Sequence, residues 1–248
     1  MEDLNNWQDN FEECCYAKKL LDKIAYLNGV SETEAIDIIE VEKAIHYAKK
    51  YHGSQMRQSG EPFYSHPIEV AYMIADYLFR TDIIITAILH DTLEDTELTK
   101  SQIAEIFSVQ IANQVYDLTR IKENGVKITS AEMVELLYKE KKYDILLIKI
   151  FDRLHNIQTI SAKSPTKIKK TIAETIKRFI TLSIYLDGRI HRALKIEEII
   201  TELCYKNLSI EQYRLQDLEL DFNDSYQHSF PIAQNDIIHN YIHHILES

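Results

Sequence analysis

The chain has 248 residues, 45% of them hydrophobic, and a formal net charge of −11. That length suits one large domain or one domain with an appendage, and the apolar share is enough for a real core. The negative charge argues against nucleic acid or an anionic membrane as partner, although a metal and a few cations can reverse the field inside one cleft.

Five Gly and four Pro, among many Leu, Ile, Ala, Lys and Glu, predict long helices with short connections. The opening MEDLNNWQDN is too acidic and polar for a secretory signal, and no apolar run approaches the roughly 20 residues that span a bilayer. Cys14, Cys15 and Cys204 do not resemble a disulfide framework, so the expected compartment is a reducing cytoplasm.

Residues 1–30 predict an N-terminal extension, with Cys15, Leu20, Leu21, Ile24 and Leu27 on one amphipathic helix face. Ser31 and Glu34 read as a capping box for a helix that stops at Gly53. The loop GSQMRQSGEPFYSHP follows, and Pro67 suits the first turn of the helix after it. IIITAILHDTLEDT predicts the fourth helix, and Thr99 with Gln102 caps another through SQIAEIFSVQIANQVYDLT. Residues 120–130 read as a polar loop, followed by helices over AEMVELLYKEKKY and DILLIKIFDRLHNIQTI. Ser164 and Pro165 open a long basic helix to about Tyr185, and residues 189–206 and the last 25 predict further helices. With no alternating run long enough for a sheet, the fold class is all-α, a helical bundle. The expected division is an extension over 1–30, a main domain over 31–208 and a C-terminal helical extension over 209–248.

The chemistry concentrates where apolar segments turn polar. On one helix His90 would stack over Glu94, and Asp91 over Asp95. An apolar helix ending in unpaired carboxylates needs a compensating cation or water; the plainer account is a helix that surfaces here with solvated acids. His66, in the loop GEPFYSHP, and Asp152, in IKIFDRLHN, change the balance. Taken singly, His66 reads as a loop histidine and Asp152 as the ion-pair partner of Arg153. Together His66, His90, Asp91 and Asp152 would make a two-imidazole, two-carboxylate site without sulfur, suited to Mn²⁺, with Fe, Ni or Zn as substitutes. Near the C-terminus His239 and His243 have metal-capable spacing but no accompanying general base, so a surface or oligomer-facing helix is the reading there.

AIHYAKKYHGSQMRQSGEPFYSHPIEVA, AILHDTLEDTELT, LIKIFDRLHNIQTI and AETIKRFITLSIYL, in that order, resemble the hydrolase domain of RelA/SpoT-type alarmone enzymes, part of the HD phosphohydrolase superfamily. The resemblance runs over roughly residues 40–205. It implies an HD-type bundle in which His66, His90, Asp91 and Asp152 bind Mn²⁺, and Glu94 and Asp95 form the catalytic acidic pair. It also implies that Arg57 packs on a guanine ring and that Asn156 and Thr159 lie on the ribose side. Gln58, Ser59, Lys149 and Arg153 complete the expected substrate-binding set. The implied reaction is hydrolysis of the 3′-diphosphate of guanosine tetra- and pentaphosphate, giving GDP or GTP and pyrophosphate.

Gln58 stands where the family usually has Lys, so one cation expected near the phosphates is missing, and Lys149 and Arg153 are the expected substitutes. Only about 40 residues follow position 208, too few for the synthetase domain of the bifunctional enzymes, so a hydrolase-only small alarmone hydrolase is expected. The expected partner is the small-molecule alarmone, with no nucleic acid and no membrane, and a homo-oligomer is left open. The alternatives are an HD phosphohydrolase acting on another nucleotide and a non-catalytic alarmone-binding module.

Overall fold

The computed structural model describes residues 6–120 and 125–180, together with 182, 199, 200, 202–204, 206 and 207. Two units divide the chain, one ending at Ala162 and the other starting at Lys163. Among the described residues of the first unit the helices are α1 (Cys15–Val30), α2 (Ile38–His52), α3 (Ser65–Ile74), α4 (Thr81–Leu89), α5 (Thr92–Asp95), α6 (Lys100–Ile106), α7 (Val109–Leu118), α8 (Ser130–Lys139) and α9 (Tyr143–Gln158). The described residues form no strand; Met56 and Pro62 make an isolated antiparallel bridge. The protein is all-α.

Burial explains why α4 is central. Ile83, Ile84, Ile85, Thr86, Ala87, Ile88 and Leu89 are all buried, so the helix is apolar on every face. Helices α2, α3, α7 and α9 pack around it. Its one buried hydroxyl, Thr86 Oγ1, donates to Gln114 Oε1 on α7 at 2.7 Å. Helix α9 is nearly as enclosed, with every residue from Ile145 to Leu154 buried. Expected site residues follow directly on α4 at His90 and Asp91 and lie in the C-terminal half of α9 at Asp152, so the core fixes their backbone.

Local signals set most of the ends. Gly53 terminates α2 at φ 51°, a conformation that suits glycine. The Thr99–Gln102 box forms as expected, and Thr129 with Glu132 makes another at α8 that the sequence reading did not single out. The expected box at Ser31 and Glu34 does not form. Ser31 Oγ instead bonds to Thr33, and α2 starts at Ile38 with Asp37 accepting from the Glu40 amide at 3.2 Å. The helix expected through residue 119 is two helices, because Ser108 accepts from the Ile111 amide at 3.1 Å and restarts the chain as α7.

In the second unit Pro165 occupies the first turn of α10 (Pro165–Glu174), which passes into a π-helical segment at Thr175–Ile180. The expected extension over 209–248, including His239 and His243, lies outside the described residues. No described helix is long and apolar enough to cross a membrane.

Candidate metal centre

The apolar helix does not run unbroken into its acids. Helix α4 ends at Leu89, and α5 begins at Thr92 with Asp91 as its N-cap residue. The expected stacking of His90 on Glu94 and Asp91 on Asp95 therefore does not lie on one continuous helix. His90 and Asp91 occupy the break, where His90 is buried and Asp91 is partly open.

Around the break the four expected ligands converge. His66, from the first turn of α3, has Nε2 at 3.1 Å from Asp152 Oδ1 and 3.7 Å from Asp91 Oδ2. His90 Nε2 is 3.1 Å from Asp91 Oδ1 and 3.9 Å from Asp152 Oδ1. One donor atom from each of His66, His90 and Asp152 falls within 4.8 Å of the others. Asp91 lies against this trio through its two imidazole contacts.

The residues fit a divalent cation. His90 Nδ1 is 2.7 Å from the Ala87 carbonyl oxygen, which can only accept, so Nδ1 carries the hydrogen and the neutral ring keeps its lone pair on Nε2. That Nε2 is buried and has no hydrogen-bond partner among the described residues. A buried lone pair facing two carboxylates calls for a positive charge between them. Without an ion, a proton fills the role. Burial opposes charge on His90, but Asp91 and then Asp152 outweigh it and push its pKa up to about 9. Burial would likewise raise both aspartates. His90 and His66 hold Asp91 well below the usual carboxylate range, and Lys149, His66 and His90 do the same for Asp152. Two nitrogens and carboxylate oxygens without sulfur suit a borderline or hard divalent ion.

The supporting shell comes mainly from α9. Lys149 is buried and ion-pairs with Asp152 Oδ2, while Asn156 Nδ2 donates to Asp152 Oδ1 at 2.6 Å. Asp152 thus pairs with Lys149, whereas the sequence suggested Arg153, which is buried in its own right. Asn156, expected beside a ribose, is placed next to the Asp152 carboxylate.

Arg57 sits on a hairpin made by residues 55–63. Its amide donates to Glu61 O at 2.8 Å, the Gly60 amide to Arg57 O at 3.0 Å and the Phe63 amide to Gln55 O at 2.9 Å. Gly60 adopts φ 94°, which a side chain resists. Ser59 Oγ donates to Glu61 Oε2 at 2.6 Å, and Gln58 and Ser59 are exposed at the tip. The Arg57 guanidinium reaches α9, where Nη2 donates to Thr159 Oγ1 at 3.1 Å and Nη1 lies 3.2 Å from His155 Nδ1. The resemblance placed Arg57 and Thr159 on one nucleoside, and the fold brings them into contact.

The acidic pair divides. Glu94 is gripped by Arg120, through its amide at 3.3 Å, Nε at 3.1 Å and Nη2, and by Lys127 Nζ at 3.2 Å. Burial would raise Glu94, but these cations hold its pKa down. Asp95 is exposed and has no such clamp; desolvation and then its neighbours Asp91 and Glu94 push it up to about 6. Of the pair, Asp95 is the carboxyl able to carry a proton near neutral pH. Its backbone carbonyl accepts from Gln55 Nε2 at 3.0 Å, which ties the hairpin to this turn.

Sequence reasoning did not assign roles to Arg120, Lys127 or His155. The two cations lie in a polar stretch whose fold the sequence pattern did not determine. His155 was visible in DRLHN, but nothing local to that motif indicates its partner 89 positions away, His66, whose Nδ1 lies 2.7 Å from His155 Nδ1.

A family model described as HD domain matches residues 44–183. The chain belongs to the HD domain family. That span holds all four expected ligands of the HD site. The chain is also similar to the GTP pyrophosphokinase rsh of Brucella ovis, 34% identical over 177 residues that cover 69% of this chain and 23% of that one. It is similar to the guanosine-3′,5′-bis(diphosphate) 3′-pyrophosphohydrolase of Aquifex aeolicus, 34% identical over 176 residues, 70% of this chain and 25% of the relative. The chain thus spans about a quarter of the length of these curated relatives. Among solved structures, a metazoan ortholog of SpoT that hydrolyzes ppGpp matches with a TM-score of 0.52 at 19% identity, covering 72% of this chain and 98% of that one. This likeness supports the helical HD fold.

Proposed function

We propose that the protein is a Mn²⁺-dependent phosphohydrolase that removes the 3′-diphosphate of guanosine tetra- and pentaphosphate. The observation that carries this reading is the imidazole–carboxylate cluster, with the proton-holding Asp95 four residues after Asp91 and with Arg57, which touches Thr159, linked to His66 through His155. The pyrophosphohydrolase named among its relatives supports the substrate.

His66, His90, Asp91 and Asp152 would hold the ion, which when bound supplies Lewis acidity and activates water. Lys149 and Asn156 keep Asp152 oriented. Arg57 presents a planar cation to the purine. Water attacks the phosphorus joined to the ribose 3′ oxygen, the bond between that phosphorus and the 3′ oxygen breaks, and the proton lost by the water passes to solvent. The departing oxygen needs a proton, and Asp95 supplies it. Glu94 stays ionised between Arg120 and Lys127 and fixes the turn that carries Asp95.

The test is pyrophosphate release from guanosine tetraphosphate with Mn²⁺, run beside a nucleotide panel. Release from the tetraphosphate and not from the panel is the expected result. Release from other nucleotides points to a different substrate, and tight binding without release points to a binding module.

A further inference from the structure

His66 is held from behind by a residue with no assigned part in the reaction. Arg57 Nη1 lies 3.2 Å from His155 Nδ1, and a guanidinium only donates. His155 Nδ1 therefore accepts, and its ring proton sits on Nε2. His66 Nδ1 lies 2.7 Å from that same atom, whose one lone pair the two donors share, with His66 at the shorter distance donating through Nδ1. A neutral His66 then has its lone pair on Nε2, 3.1 Å from Asp152 Oδ1 and 3.7 Å from Asp91 Oδ2, and only a cation between them reconciles a lone pair with two carboxylates. The two rings are tilted against each other with centroids 4.8 Å apart. His155 lies on α9 with Asp152, so one buried helix carries both a ligand and the group that aims another ligand.

We propose that His155 is a positioning residue that fixes His66 in the tautomer able to bind a metal through Nε2. Metal-binding histidines commonly rest their second nitrogen on a carboxylate or carbonyl. Here a neutral imidazole takes that place, which adds no third negative charge beside Asp91 and Asp152. Because Arg57 shares the acceptor, the same ring ties the hairpin to the metal ligand. This inference rests on the metal reading above and extends it to a residue outside the ligand set.

The test measures Mn²⁺ affinity of the whole protein by competition with a chelating dye, for wild type, His155→Ala and His155→Asn. Nitrogen NMR of His66 in the metal-free protein is recorded alongside. His155→Ala is expected to weaken Mn²⁺ binding about 10–100-fold, the usual cost of losing such a partner. In that variant the His66 proton is expected to spread over both ring nitrogens. His155→Asn puts an acceptor oxygen where Nδ1 stood and is expected to restore most of the affinity and the single tautomer. Undiminished binding in His155→Ala, or His155→Asn as weak as His155→Ala, overturns the proposal. A wild-type protein that binds no Mn²⁺ defeats the metal reading itself, a result separate from either of these.

Discussion

Asp91 and Asp152 are both assigned to the metal, yet their removal should have unequal effects on the metal-free fold. The Asp152 side chain is 8% exposed and that of its partner Lys149 is 11% exposed, so Asp152→Ala leaves an ammonium buried without its counter-ion. It also strips Asn156 of an acceptor. Breaking a buried pair from one side costs about 3–5 kcal/mol, a large part of the ~5–15 kcal/mol that holds a domain together. The Asp91 side chain is 23% exposed, and its main partner His90 can discharge by losing its proton. With His90 at about 9 in the fold and about 6.5 unfolded, the net stabilisation of its charged form, to which Asp91 is the largest favourable contributor, is on the order of 1–2 kcal/mol at pH 8. Urea unfolding of the metal-free variants at pH 8 should therefore show Asp152→Ala losing at least about twice what Asp91→Ala loses. Adding Lys149→Met to Asp152→Ala should recover about 2 kcal/mol or more by removing the stranded charge. Both single variants should lose turnover. Equal losses for the two aspartates, or no recovery in the double variant, would refute the buried-pair account.

His155 and His90 should contribute to the stability of the metal-free protein with opposite pH dependence. Burial, then His66 and Arg57, push His155 down to about 3, so the unfolded chain takes up a proton that the fold refuses. That contribution is complete above pH 6.5 and shrinks as pH falls toward 3, with about 2 kcal/mol lost by pH 5. His90 acts in the opposite sense: its contribution is complete below 6.5 and is lost as pH rises through about 9. Urea midpoints from pH 4.5 to 9.5 for wild type and His155→Asn check this, and an acid limb unchanged in the variant would contradict the His155 assignment. Gly60→Ala should cost about 1–3 kcal/mol from the φ of 94° alone, since a Cβ there meets nothing within 4 Å, and should raise KM by displacing Arg57. Thermal melts and initial rates test this, and an unchanged KM would break the link between the turn and Arg57. Asp95→Asn should lower kcat about 10²–10⁴-fold with Mn²⁺ affinity retained; turnover within tenfold of wild type would remove Asp95 as the acid.

Helical class and the main candidate site were legible because both are written in local patterns. The all-round apolar stretch 83–89 announced a buried helix, and the ligand types stood at the polar ends of apolar segments. The break at His90 and Asp91 was not legible, since the residue types around it continue a helical pattern and the interruption appears only in the fold. The restart at Ser108 was signalled by a hydroxyl that any loop can carry, and the true start of α2 at Asp37 competed with a better-looking box upstream. Roles for Arg120, Lys127 and His155 depend on pairings across 26 to 98 positions, which no window of sequence exposes.

The hairpin of residues 55–63 is fastened in two places, by Gln55 to the turn bearing Asp95 and by Arg57 to α9, while its tip stays in solvent. Side chains at 58 and 59 can therefore be exchanged without loosening either anchor. Under the proposed function, an engineer seeking altered nucleotide preference has two adjustable positions on a bracket held at both ends, and lengthening that bracket should shift Arg57 and the Asp95 turn together.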